Sequence, residues 1–225
     1  MRRFRTWDNR LAYALVVLWT SIASVQAEEL GIPANLASIL QNPQHQKAVV
    51  EAAQQSSTWV NNRCGNATFA IAGLVAIYQP LALDAQARPI AGAWKERVTA
   101  SCGTHRVLNV LTAVKAPGAL TSGVLLPGTT RADPQLQRDA VRYAAVASGG
   151  APPPSCRQAY VADTKFVGVE GEADPGLAPA RRTPPWKEEW TMIACDKHSI
   201  VTLHFVPDAT GTMINAGQGE TRQAP

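Results

Sequence analysis

Two Cys-x-x-His elements, Cys102 with His105 and Cys195 with His198, are the residues whose types and spacing best suit chemistry in this chain. Two thiolates and two imidazoles form a tetrahedral zinc set in kind, provided that the two elements meet in space. Disulfide formation competes for the same sulfurs. Cys64 lies 38 residues before Cys102, and Cys156 lies 39 before Cys195. Four cysteines in an exported chain form two disulfides in one of three pairings. Disulfides are therefore the expectation, with zinc as the minor alternative, and no cofactor is called for.

A Trp-Lys-Glu triplet precedes each of these elements, Trp94 to Glu96 in one case and Trp186 to Glu188 in the other. On a strand, Trp94 shares a face with Glu96, and Trp186 shares one with Glu188, Trp190 and Met192. If that face is solvated, indole rings beside a carboxylate suit a flat polar ligand such as a glycan or peptide. Trp94, Glu96, Trp186, Glu188 and Trp190 are then the candidate ligand-binding residues. If the face is buried, the same tryptophans are core, and Lys95 and Lys187 are solvated on the opposite side. Signs of catalysis are few: the chain lacks the G-x-S-x-G, H-E-x-x-H, phosphate-loop and C-x-x-C patterns. An enzyme reading rests on a carboxylate such as Glu96 or Glu188 acting as acid or base on an envelope substrate.

The triplets and the Cys-x-x-His elements belong to a longer repeat. Residues 94–111 return as residues 186–204 with one residue inserted, each copy running from Trp-Lys-Glu through Cys-x-x-His to an apolar stretch. Duplication selects one cysteine pairing, Cys64 with Cys102 and Cys156 with Cys195, because each copy then keeps its own link.

The elements that must position these residues follow from periodicity. Residues 44–62 read as a helix with a modest apolar stripe, and residues 68–78 as a strand. Residues 94–100 alternate as a strand, turn at 101–105 and return at 106–114; residues 186–194 and 199–206 repeat that hairpin. Asp133 followed by Pro134 opens a second helix, which ends near Ser148. Residues 158–169 read as a strand, 171–185 as a long surface loop, 212–215 as a short edge strand, and the tail from Gly217 as disordered. The expected fold is α+β: a duplicated α-β-β-β unit with antiparallel sheets and helices packed on one face.

The first 27 residues have the order of a secretory leader: Arg2, Arg3, Arg5 and Arg10, an apolar segment, then small residues up to Ala27. Domain expectations follow: a leader at 1–27, a first lobe at 28–130, a second at 131–216 and a tail at 217–225. Taking the leader's four arginines and Asp8 from the totals of 21 basic and 17 acidic residues leaves 17 against 16. A chain so close to neutrality carries no argument for nucleic acid, and a membrane is contacted only through an uncleaved leader. The resulting functional expectation is an exported binding module, periplasmic or extracellular, whose partner is an envelope protein or polymer.

Overall fold

The computed structural model describes residues 32–61, 66–150, 156, 158–179, 182–195 and 197–223, apart from the side chains of Asn61 and residues 217–220. Two compact units divide the chain at Asn42. The first contains the helix α1 (Ala34–Leu40), in which the Asn35 side-chain oxygen accepts from the Leu36 N–H. The second, from Pro43 onward, contains every other element. The expected leader and Cys64 lie outside the described residues, and with Cys64 lies the expected Cys64–Cys102 link.

Where one helix is expected over 44–62, two occur: α2 (Pro43–Ala53) and α3 (Ser57–Asn61). The break falls on Gln54 to Ser56, where polar residues close turns and the Ser56 carbonyl starts α3 by accepting from the Val60 N–H. Thr58 then donates its hydroxyl to the Ala162 carbonyl at 2.9 Å, a tertiary tie that sets the new direction.

Four strands form the first sheet as an antiparallel meander: β1 (Thr68–Leu83), β2 (Pro89–Ser101), β3 (His105–Ala116) and β4 (Ala119–Leu125). One face of β2 presents Val98 and Ala100 to Leu108 and Val110 of β3 and to Val49, Ala52 and Ala53 of α2, making one core. The register of β1 against β2 slips five times, and Ala72, Val75 and Tyr78 are among the β1 residues left without a facing residue. Such bulges re-aim side chains, and they explain why β1 shows no clean alternation in its sequence.

The second sheet is also a four-stranded meander: β5 (Ala159–Val169), β6 (Trp186–Ala194), β7 (Lys197–Pro207) and β8 (Thr212–Gln223). Its core stacks Trp186 on Phe205 at 4.8 Å and adds Trp190, Met192, Leu203 and Val201 beneath α4 (Pro134–Ala147), which contributes Ala140 and Ala144. Asp133 caps that helix, accepting from the Gln135 and Leu136 N–H groups as the Asp-Pro pair predicts. A disulfide joins Cys156 to Cys195 across a separation of 39 residues, worth about 4 kcal/mol on the chain-entropy account.

The architecture is thus α+β with two antiparallel sheets. The first sheet has one strand more than expected, β4, and in the second the short edge strand expected at 212–215 runs on to Gln223 as β8. Of the tail expected as disordered from Gly217, residues 217–223 continue β8: Thr221, Arg222 and Gln223 face Val201, Ile200 and Ser199 of β7. Ladder bonds along β7 hold a segment whose polar composition reads as coil.

Residues 126–132 form a strap between the sheets, and the lobe boundary expected after residue 130 falls within it. Its backbone is satisfied from both sides. Asn109 of β3 donates to the Leu126 and Gly128 carbonyls, and Gln137 of α4 accepts from the Leu126 N–H and donates to the Ala132 carbonyl. On the β5 side, the Thr129 N–H donates to the Thr164 carbonyl, the Thr164 hydroxyl to the Pro127 carbonyl, and the Thr130 N–H to the Thr164 hydroxyl. Gly128 sits at the crossing with φ of +90°, where a Cβ would lie 2.0 Å from the Thr164 carbonyl oxygen. Replacing it adds both a left-handed strain and a clash with backbone. Gly128→Ala is expected to lower the unfolding free energy by roughly 3 kcal/mol or more. Gly123→Ala, in open space on β4, should shift it by under about 1 kcal/mol in the same urea titration.

Candidate functional site

The chemistry-bearing residues separate onto the two faces of the sheets. On the inner faces, the glutamates of the two Trp-Lys-Glu triplets are buried and collect hydrogen bonds. Glu96, 1 % exposed, accepts from the Trp94 indole at 3.0 Å and pairs with His45 Nε2 at 2.7 Å. Glu188 is fully buried and accepts three N–H groups, from the indoles of Trp186 and Trp190 and from the backbone of Arg131, each at 2.8 Å. Buried carboxylates are tolerated only with such donors.

The solvated-face condition on the candidate ligand-binding residues is therefore not met. Trp94, Glu96, Trp186, Glu188 and Trp190 all lie in the interior, and of the five only Trp186 also reaches a cavity wall. The physical reason is coverage: α2 and α4 lie over the faces that carry them, and indole burial is favourable once its N–H has an acceptor. His45, which looks unremarkable on a Gln-rich helix, is a buried partner of Glu96. Its only sequence signal is a helical stripe shared with Val49, Ala52 and Ala53.

The Cys-x-x-His elements do not carry a metal set as sequence spacing allows. The sulfur of Cys195 is bonded to Cys156, and His105 Nδ1 is within 2.8 Å of the Ser101 hydroxyl. Among the described residues, no three His, Cys, Asp or Glu side chains cluster as ligands.

What the sequence did not reveal is on the other face of β2. Lys95, expected to be solvated, is 3 % exposed and donates to the Thr130 carbonyl of the strap at 3.1 Å. It borders a cavity of about 960 Å³ between the first sheet, the strap and the N-terminal turns of α4. Arg97 and Arg131 add two more cations, Tyr78 reaches in from a bulge of β1, and Asp133 and Asp139 stand on the helix side. Val75, Leu136, Trp186 and Pro207 supply the apolar wall. Neither Glu96 nor Glu188 lines it.

Burial dominates the electrostatics. It pulls the Lys95 ammonium down from 10.5 to about 8, helped by Arg97 and opposed by Glu188. Burial, with the Asp133 charge, pushes the Tyr78 phenol up to about 12. The Tyr78 hydroxyl and Arg97 Nε are shielded from solvent yet have no hydrogen-bond partner among the described residues. The site is thus a set of under-used donors beside an apolar wall.

Both faces generate tests. Glu188→Gln replaces an acceptor with an amide donor that must face an N–H, and should cost roughly 2–4 kcal/mol in denaturant unfolding. Glu189→Gln, next along β6 and ion-paired with Arg222 at the surface, should cost under about 1 kcal/mol. For Lys95, the unfolded chain holds the proton up to about 10.4 whereas the folded chain releases it near 8. The folded state therefore bears its full penalty below pH 8 and loses it as pH rises. Stability should climb by up to about 3 kcal/mol between pH 8 and 10, and Lys95→Met should flatten that rise.

Models of known protein families contain none that matches the chain, and no curated protein or solved structure matches it either.

Proposed function

We propose that the chain is an exported, disulfide-stabilised binding module of the cell envelope, built by duplication, whose ligand enters the cavity bordered by Lys95, Arg97 and Arg131. The observation that carries this reading is the cavity itself: about 960 Å³, with three cations, an apolar wall and buried donors that lack acceptors among the described residues. Pockets of this size that combine apolar area with a few convergent polar groups are the usual places where ligands bind.

Supporting the export component are the Arg-rich leader pattern at residues 1–27 and the Cys156–Cys195 disulfide, which fits an oxidising compartment. No helix among the described residues is long and apolar enough to cross a membrane. Supporting duplication are the recurring Trp-Lys-Glu text and the position of each copy on the second strand of a four-stranded meander. The partner in this reading is an envelope protein or polymer, and no nucleic acid is involved. Binding is favoured over carboxylate catalysis because Glu96 and Glu188, the candidate acids, are spent on indole and histidine donors away from the cavity.

The test is retention of an envelope component by immobilised oxidised protein, compared with an Ala76→Trp variant. Ala76 is on the cavity wall, so the added ring occupies the space without removing any polar group. Wild type should retain a component that the variant loses at unchanged thermal stability. No retention by wild type, together with turnover of a hydrolase substrate panel, overturns the reading.

A further inference from the structure

Resting on the binding reading above, the geometry points to a ligand that carries an anionic group, a carboxylate or phosphate, on an uncharged body that lies against the apolar wall. Every polar group that β1 and β2 direct at the cavity is a donor: the Tyr78 hydroxyl, the Lys95 ammonium and the Arg97 guanidinium. Lys95 spends one N–H on the Thr130 carbonyl, while Arg97 Nε and the Tyr78 hydroxyl have no partner among the described residues. Leaving buried donors unmade is costly, and an acceptor placed among them recovers that cost.

The chain's own acids do not serve as that acceptor. Asp133 is committed to the Gln135 and Leu136 N–H groups, Asp139 accepts from the Gln135 side chain, and Glu188 is filled by its three donors. Lys95, Arg97 and Arg131 accordingly have no ion-pair partner among the described residues, although Arg131 lays its guanidinium over the Phe166 ring at 3.9 Å. Hydrogen bonds from such cations to an ionised acceptor are about twice as strong as neutral ones. The planar fork of Arg97 also matches carboxylate and phosphate oxygens. Burial and Arg97 already weaken the hold of Lys95 on its proton, and an anion beside it reverses that pressure. The volume exceeds what an inorganic anion fills, and Val75, Leu136, Trp186 and Pro207 offer a wall for the uncharged body.

Titration calorimetry of the oxidised protein with glucuronate, glucose 6-phosphate and glucose tests the inference. At least one of the two anions should bind while glucose does not; which one binds separates carboxylate from phosphate recognition. Arg97→Gln should weaken that binding roughly tenfold or more. Tyr78→Phe, which removes a hydroxyl with no partner among the described residues, should keep the thermal stability of the free protein and weaken binding roughly threefold or more. Glucose binding as tightly as either anion, or anion binding unchanged in both variants, overturns the inference. If wild type retains an envelope component that Ala76→Trp loses, yet neither anion binds, the anionic ligand is wrong and the binding module stands. If nothing is retained and neither anion binds, both readings fall.

Discussion

A backbone that crosses between two sheets must find a partner for each polar group it buries, and residues 126–132 set that constraint for this fold. Asn109, Gln137, Thr164, Lys95 and Glu188 each give a side-chain group to this strap, from β3, α4, β5, β2 and β6 in turn. The two sheets are thereby coupled through one short segment. Gly128 permits the closest approach, since any side chain there would enter the β5 backbone. The strap and the N-terminal turns of α4 line the cavity together with the Lys95 face of the first sheet and Trp186 and Pro207 of the second.

The buried glutamates show how an ionisable residue can be structural. Glu188 joins two indoles of its own strand to the Arg131 backbone, so one carboxyl orders the second core and anchors the strap. Glu96 plays the corresponding part with Trp94 and with His45 of α2. In both places an acceptor is required inside an aromatic core because indole N–H groups are buried there. The triplet that first suggests ligand chemistry is explained by that need, and in the first triplet the lysine between tryptophan and glutamate, Lys95, is left on the face that borders the cavity, whereas Lys187 faces Glu170.

Legibility in the sequence follows the range of the physics. The β6 strand matches its alternation of Trp186, Glu188, Trp190 and Met192 residue for residue, and α4 starts where Asp133 and Pro134 place it. These are local effects of periodicity and capping. By contrast, five register shifts along β1 scramble its alternation, α2 and α3 separate where Thr58 bonds to a carbonyl over a hundred residues away, and β8 extends through polar residues held by β7. Tyr78 and Lys95 were invisible as site residues for the same reason. A bulge re-aims one, and the strap covers the other.

By itself, the sequence determined the strands of the two hairpins, the capped helix, the α+β class and the faces that the tryptophans share, because each depends on neighbours within a few positions. Tertiary structure alone decided which face of each strand is covered, that Glu96 and Glu188 would be internal acceptors, and that Lys95, Arg97 and Tyr78 would meet at one cavity. Those outcomes depend on contacts between segments far apart in the chain, where burial and hydrogen-bond satisfaction are settled jointly and leave no periodic trace.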